Sequence, residues 1–117
     1  MQITVLQSKL HRVRVTEADL NYEGSCGIDE NLLQRAGMRE FQQIDIYNVN
    51  NGERFTTYII KPKAGSGVIS LNGAAARKAM VGDLLIIATY CQCTEGEADS
   101  IKPRIVLVDD GNRPKDR

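Results

Sequence analysis

Apolar and polar residues alternate along most of the chain with the two-residue period of β-strands. Gly, Asn and Pro residues separate these short stretches and mark turns. A series of short strands is typical of an all-β barrel or sandwich, and a small closed barrel is favoured because closure removes exposed sheet edges. The predicted strands cover residues 2–5, 9–16, 44–49, 54–60, 68–71, 84–89 and 105–108.

One segment has helical periodicity instead. Residues 30–36 form a predicted short helix, with Asp29 in the N-cap position and Gly37 just beyond its end. Asn51-Gly52 lies between two predicted strands and is a strong hairpin signal. The small residues at 72–76 predict a strand-to-helix corner, which either packs tightly or lets a ligand approach the backbone.

The strand predicted at residues 9–16 carries two side chains suited to binding a charged ligand. The two-residue period places Lys9 and His11 on the same face as Val13. They either point into a cleft or end the apolar run of the strand. His11 is the only histidine, and a histidine taken alone is more often structural than catalytic.

The strand predicted at residues 54–60 carries a second set. Arg54 and Tyr58 share a face, with Cα atoms about 13 Å apart, so they are either solvated neighbours or the two sides of a pocket for one small diacid. Thr57 faces the opposite way. A role for Thr57 at the same site therefore requires a bulge, a tight barrel or a site shared between subunits.

Length and charge narrow the class of protein. The 117 residues correspond to a single domain, 1–117. Within it, residues 95–100 predict an acidic loop and residues 110–117 a disordered tail. The 15 basic and 15 acidic side chains cancel. This balance predicts no nucleic-acid partner and no membrane partner, since both require an excess of basic residues.

Several features predict a cytoplasmic protein. Residues 1–7 alternate and do not resemble a signal peptide. The longest apolar run, Leu84–Ala88, is too short to span a bilayer. The three cysteines form no even-numbered framework and are typical of a reducing compartment.

The Gly24-Ser25 pair predicts either a simple turn or a self-processing site. Both residue types are common in turns. If the fold strains the peptide bond, however, the Ser25 hydroxyl can attack the unshielded Gly24 carbonyl and convert the amide into an ester. Elimination then leaves dehydroalanine at position 25, and hydrolysis gives a pyruvoyl group at the start of a new chain.

Five separated segments favour the self-processing interpretation. The segments are Ser8–Arg12, Asn21–Cys26, Asn51–Tyr58, Asn72–Arg77 and Val81–Ala88. They resemble the bacterial aspartate 1-decarboxylase family, whose pyruvoyl enzymes make β-alanine for pantothenate, and the resemblance covers about residues 1–109. Gly27 departs from the family pattern, where Ala or Thr usually follows, and this puts the rate of processing in question.

The resemblance implies a double-psi β-barrel that assembles as a homotetramer. It also implies autocatalytic cleavage between Gly24 and Ser25 into a β chain, 1–24, and an α chain, 25–117. The covalent pyruvoyl group would serve as the cofactor in place of pyridoxal phosphate, with no metal. Whether a maturation factor assists the cleavage is left open.

The resemblance further implies roles for individual residues. The ketone formed from Ser25 would bind L-aspartate as a Schiff base and act as the electron sink for decarboxylation, and Tyr58 would return the proton. Self-processing would use Gly24 and Ser25, with Thr57 and Asn72 polarising the Gly24 carbonyl. Which substrate carboxylate meets Arg54 is left open. The substrate contacts would be Lys9, His11, Arg54, Thr57, Gly73, Ala74 and Ala75.

Three other classes of function compete with this interpretation. A serine hydrolase would need a base and an acid beside Ser25, and the chain has no Gly-x-Ser-x-Gly motif. A zinc site at Cys91-Gln92-Cys93 would lack further ligands, so these cysteines are predicted to be strand residues. The main alternative is a non-catalytic small-molecule-binding or structural barrel, which would keep an uncleaved chain.

Overall fold

The computed structural model describes residues 1–21, 25–62 and 67–115. These residues contain nine strands, two short α-helices and a 3₁₀ helix at Gly73–Arg77. The α-helices are α1 (Glu30–Ala36) and α2 (Glu95–Ala98). The strands are β1 (Gln2–Arg14), β2 (Glu17–Asp19), β3 (Cys26–Ile28), β4 (Gln43–Asn48), β5 (Arg54–Ile60), β6 (Ile69–Asn72), β7 (Leu84–Thr94), β8 (Arg104–Val108) and β9 (Pro114–Lys115).

All nine described strands lie in one mixed sheet in the order β2-β6-β3-β5-β4-β7-β1-β8-β9. The long strand β1 runs antiparallel to β7 on one side and parallel to β8 on the other. The sheet is curled into a half-barrel with only short helices attached. The prediction of a small all-β barrel is confirmed.

The side chain of Asn112 links parts of the sheet that are far apart in the strand order. Its Oδ1 accepts from the Arg14 N–H at 2.7 Å, and its Nδ2 donates to the carbonyls of Arg14 and Gly67, both at 2.8 Å. Arg14 ends β1, whereas Gly67 lies just before β6. Asn112 is only 2% exposed, so these bonds join the two regions from inside the fold.

The core is formed by buried side chains of the sheet and of helix α1. Helix α1 packs against β1 and β8 and contributes Leu32, Leu33 and Ala36 to the core. Alternate residues of the strands supply the other buried aliphatic side chains. The largest of them are Leu10, Val13, Val15, Ile28, Ile44, Ile46, Ile59, Ile69, Leu71, Leu85 and Ile87.

The predicted placement of Lys9 and His11 on the face of Val13 is wrong. The pairing of β1 with β7 shifts between His11 and Val13, and Arg12 has a left-handed φ of 66°. This bulge reverses the alternation, because it inserts one extra residue into the strand. Leu10 is buried before the bulge and Val13 after it. Lys9 and His11 therefore lie on the opposite face and are only half-buried.

The predictions for α1 and the β4–β5 hairpin are confirmed. The predicted helix has the observed bounds, and Gly37 follows it with φ 70°. The carboxylate of Asp29 makes no cap bond and accepts instead from the Gly67 N–H at 3.1 Å. β4 and β5 pair antiparallel across the predicted Asn51-Gly52 turn, where Gly52 has φ 78°.

Two predictions near the C-terminus need correction. Residues 95–100 are not a loop throughout, because Glu95–Ala98 forms α2. Thr94 and Glu97 form a capping box at its start, each side chain bonding to the backbone N–H of the other. Residues 110–115 are not a disordered tail, because Asn112 is buried and β9 pairs with β8. Residues 116–117 lie outside the described residues.

Candidate active site

A pocket of about 300 Å³ opens beside Ser25. Its walls come from Ser25, which lies just before β3, from β5 and β6, and from the 3₁₀ helix and the residue that follows it. Of the residues singled out from the sequence, it brings together Ser25, Thr57, Asn72, Ala74 and Ala75. Phe55, Thr56 and Lys78 complete the lining.

Ser25 is held in place by the neighbouring strand. The Asn72 N–H donates to the Ser25 carbonyl at 2.8 Å, and the next pair along is Cys26 with Leu71. Ser25 is only 9% exposed. Its hydroxyl-bearing side chain is therefore presented at the pocket by a largely buried backbone. Gly24, the predicted partner in self-processing, lies outside the described residues.

The corner after β6 supplies a wall with little side-chain bulk. Asn72 is extended, and Gly73 has a φ of 65° that favours glycine. The chain then enters the 3₁₀ helix, where Ala74 and Ala75 line the pocket. Because alanine side chains are small, a ligand can approach the backbone closely, as the sequence pattern at 72–76 allowed.

β5 divides the predicted site residues between its two faces. More buried and more exposed residues alternate along this strand. Thr57 is half-buried and lines the pocket, whereas Arg54 and Tyr58 are exposed on the outer face. Tyr58 is 42% exposed. The predicted alternation along this strand is confirmed, and within one chain Arg54 and Tyr58 do not line the Ser25 pocket.

The outer face carries an aromatic contact that the sequence analysis missed. The Arg54 guanidinium lies over the Tyr47 ring at 4.4 Å from its centroid. The Tyr47 and Tyr90 hydroxyls are 2.7 Å apart. This hydrogen bond, with a smaller contribution from burial, raises the pKa of Tyr47 to about 12. Tyr47 is therefore neutral at physiological pH, and its ring holds Arg54 in a defined place.

Comparison with known proteins identifies the family. A family model described as aspartate decarboxylase matches residues 1–115. The chain belongs to the aspartate decarboxylase family.

Individual relatives are similar over nearly their whole length. The aspartate 1-decarboxylase of Bordetella avium is 67% identical over 116 residues, which cover 99% of this chain and 95% of that protein. The aspartate 1-decarboxylase of Ralstonia pickettii is 65% identical over 115 residues, which cover 98% of this chain and 96% of that protein. The aspartate 1-decarboxylase of Methylobacillus flagellatus is 64% identical over 117 residues, which cover 100% of this chain and 93% of that protein.

Two further residues predicted for the decarboxylase site lie elsewhere in the chain. His11 lines a separate cavity of about 350 Å³, and Lys9 lies two residues before it on β1. His11 Nδ1 is buried and has no hydrogen-bond partner among the described residues. Burial, followed by the charges of Lys9 and Arg12, lowers the pKa of His11. The imidazole is therefore neutral at pH 7.

Lys78 is a pocket residue of this decarboxylase that sequence reasoning missed. It is the only cationic side chain among the described residues that line the pocket. Its side-chain Nζ lies 3.2 Å from the Glu53 carboxylate. Its backbone N–H donates to the Ala75 carbonyl at 3.0 Å. The signal was present in the sequence, because a residue three positions after Ala75 lies above it on a 3₁₀ helix.

None of the three cysteines is among the described residues that line the Ser25 pocket. Cys91 and Cys93 are in β7, as predicted, and all three cysteines are free. Burial raises the pKa of Cys26 to about 12, so its thiol is protonated. Within the described ranges, no group of three or more His, Cys, Asp or Glu side chains is arranged to hold a metal ion. Across those same ranges, no helix has the length and apolar character required to cross a membrane.

Proposed function

We propose that this chain decarboxylates L-aspartate to β-alanine and carbon dioxide. The observation that carries the proposal is the family match across residues 1–115, together with relatives named aspartate 1-decarboxylase at 64–67% identity. The pocket beside Ser25, at about 300 Å³, has room for a substrate of this size. The product serves pantothenate and coenzyme A synthesis.

Maturation begins with cleavage of the Gly24-Ser25 bond. The Ser25 Oγ attacks the Gly24 carbonyl carbon, so that an ester forms while the amide bond breaks. Loss of the Ser25 α-proton then expels the Gly24 carboxylate and leaves dehydroalanine at position 25. Water hydrolyses this group, releasing ammonia and leaving a pyruvoyl group on 25–117. The buried, strand-anchored position of Ser25 supports this sequence of steps.

The residues around Ser25 fit a pyruvoyl group, because position 25 lies in the pocket wall and Ala74 and Ala75 leave one side of the pocket with little side-chain bulk. When formed, this group supplies the electron sink that decarboxylation requires, in place of pyridoxal phosphate and without a metal. Thr57 and Asn72 polarise the Gly24 carbonyl during maturation. The Gly73, Ala74 and Ala75 backbone binds the substrate.

The side chains of Lys9, His11, Arg54 and Tyr58 lie outside this pocket in a single chain. We place them at the site through assembly as a homotetramer, in which a neighbouring copy brings its own groups to the Ser25 pocket. Arg54 provides a planar fork for a substrate carboxylate. Lys9 and His11 assist substrate binding, and Tyr58 returns the proton to the α-carbon. The exposure of Arg54 and Tyr58 on the outer face of β5 supports this arrangement.

The cellular setting follows from the chemistry. The three cysteines are free, which supports a reducing compartment, and we place the enzyme in the cytoplasm. The chain's own residues carry out the chemistry of maturation. A maturation factor, where one is present, would change only the rate of cleavage.

The Ser25→Ala variant tests the proposal, because the hydroxyl is both the attacking group and the source of the ketone. We expect a folded, full-length chain that makes no β-alanine. A denaturing gel and an intact-mass measurement should both show two fragments, 1–24 and 25–117, for the wild type only. β-Alanine production by the full-length variant would rule out the pyruvoyl mechanism. An uncleaved, inactive wild type would favour the non-catalytic barrel.

A further inference from the structure

One positive charge lies in the wall of the Ser25 pocket. Among the described residues that line this pocket, Lys78 is the only one with a charged side chain. The proposed substrate, aspartate, has two carboxylates and one ammonium group, so it carries a net negative charge at neutral pH. A cleft lined by charge of one sign attracts ligands of the opposite sign. The pocket wall is therefore suited to draw in an acidic amino acid.

The backbone of Lys78 is fixed independently of its side chain. Its N–H donates to the Ala75 carbonyl at 3.0 Å, at the end of the 3₁₀ helix. Its carbonyl accepts from the Nδ2 groups of Asn48 and Asn51 at 3.1 and 3.0 Å. These bonds remain when the side chain is changed. A substitution at position 78 should therefore alter the charge of the pocket wall and leave the wall itself in place.

The Lys78 ammonium pairs with a carboxylate that lies beside the pocket. Its Nζ is 3.2 Å from the Glu53 carboxylate, and the two side chains are 45% and 47% exposed. Glu53 is not among the described residues that line the pocket. An ion pair between exposed groups contributes little free energy, because water competes with it. The ammonium can therefore leave Glu53 for a substrate carboxylate at little cost.

We propose that Lys78 is a substrate-binding residue that meets a carboxylate of aspartate at the Ser25 pocket, and that Glu53 holds the ammonium while the pocket is empty. The inference rests on the proposed decarboxylation and adds a cation that the pocket's own chain supplies. Arg54 and Lys9, by contrast, are placed at the site through a neighbouring copy. Lys78 favours dicarboxylates over amino acids with neutral side chains, and Glu53 weakens this preference by competing for the same ammonium.

The test measures decarboxylation of aspartate per cleaved chain, with the cleaved fraction taken from intact mass. Lys78→Gln should raise KM by about fivefold, the upper value for a partly exposed ion pair, and change kcat little. Glu53→Gln should lower KM, because the competing carboxylate is gone. Lys78→Arg keeps the charge and should stay near the wild type. A purely structural ion pair would instead make the two Gln variants alike in effect.

Two further measurements separate binding from chemistry. Succinate has two carboxylates but no amine, so it can occupy the pocket without reacting. Its Kd, measured by isothermal titration calorimetry, should rise in Lys78→Gln and fall in Glu53→Gln. The difference between the wild type and Lys78→Gln should shrink as salt rises from about 0.01 M to about 1 M, because the screening length falls from about 30 Å to about 3 Å.

Lys61 and Glu30 provide a matched control pair. Their charged groups are 3.7 Å apart, their side chains are 49% and 59% exposed, and neither is among the described residues that line the pocket. Lys61→Gln and Glu30→Gln should leave KM and the succinate Kd within about twofold of the wild type, since salt screens exposed charges away from the pocket. A similar rise of KM in Lys61→Gln would mean that overall charge attracts the substrate, which would overturn the role of Lys78.

The outcomes distinguish this inference from the proposed function. With an active wild type, an unchanged KM in Lys78→Gln would overturn the inference alone. A wild type that makes no β-alanine would contradict the proposed function, and the succinate measurements would still test whether Lys78 binds dicarboxylates. If Lys78→Gln does not fold, Glu53→Gln decides the matter, because a KM that fails to fall would overturn the inference.

Discussion

At the scale of single residues, Tyr58 separates the making of the cofactor from its use. It is proposed to return a proton after carbon dioxide has left, which happens only in mature enzyme. Tyr58→Phe keeps the ring and removes the donor, so the chain should still cleave at Gly24-Ser25. Turnover should fall by ~10²–10⁴-fold, the usual value of positioned proton transfer. The measurement is β-alanine production together with the extent of cleavage.

Arg54→Ala provides the contrast for this prediction. It removes a carboxylate-binding group needed in both the ground and transition states, so KM for aspartate should rise markedly.

Coexpressing Tyr58→Phe with Ser25→Ala tests whether Tyr58 acts on a neighbouring copy. Mixed assemblies should then recover activity that neither variant shows. An uncleaved Tyr58→Phe chain would place Tyr58 in maturation, and near-normal turnover would mean that another donor acts.

The proximity of the Ser25 pocket residues could be anticipated from the sequence only through the resemblance. Alternation along β5 placed Thr57 opposite Arg54 and Tyr58, and the structure shows this arrangement. Periodicity could not show that Thr57 and Ser25 line the same pocket, because strand order brings them together. The roles of these residues stay predictions, since proximity alone does not assign chemistry.

At the scale of elements, the errors have identifiable physical causes. The predicted strand face of Lys9 was wrong because the sequence does not reveal the bulge at Arg12: no glycine and no break in the apolar pattern marks it. The bulge requires a left-handed φ at an arginine, which tertiary structure imposes. The helix α2 was readable, because Thr94 and Glu97 have capping-box spacing. The short strands β2, β3 and β9 depend on their partners and have no local period of their own.

The turn before β7 offers an element-scale prediction. The Asp83 carboxylate accepts from the Asn48 Nδ2 and from the Met80 N–H, both at 2.9 Å. The Asn48 bond, followed by the Met80 bond, lowers the pKa of Asp83 below its ordinary value. Because the folded pKa is the lower one, this stabilisation is present above the unfolded pKa and is lost as pH falls through the folded value.

The Asp83→Asn variant should therefore be less stable than its parent by about 1 kcal/mol at pH 7, a small value because the site is partly exposed. The difference should shrink at pH 3. Urea unfolding at fixed protein concentration, in the Ser25→Ala background to keep one continuous chain, measures it. Asp110→Asn, at an exposed turn position, should have little effect. A difference that does not change with pH would contradict the ionic contribution.

At the scale of the whole molecule, the position of β1 decides what happens after cleavage. β1 lies inside the sheet, paired with β7 along most of its length and with β8 at Ser8–His11. Asn112 also holds its end, through bonds to Arg14. The sequence analysis predicted two strands, 2–5 and 9–16, where the structure has the single strand β1, Gln2–Arg14. It did not predict the central position of β1, because strand order depends on contacts between distant residues.

The two fragments should therefore remain together without a covalent link. Fragment 1–24 buries Leu10, Val13 and Val15 in the core, and each contributes roughly 1.5–3 kcal/mol as an upper estimate. The backbone bonds of β1 to both neighbours add to this. Native mass spectrometry should show 1–24 and 25–117 in equal number, and guanidinium should separate them. Release of 1–24 on native gel filtration would show that its burial does not suffice to retain it.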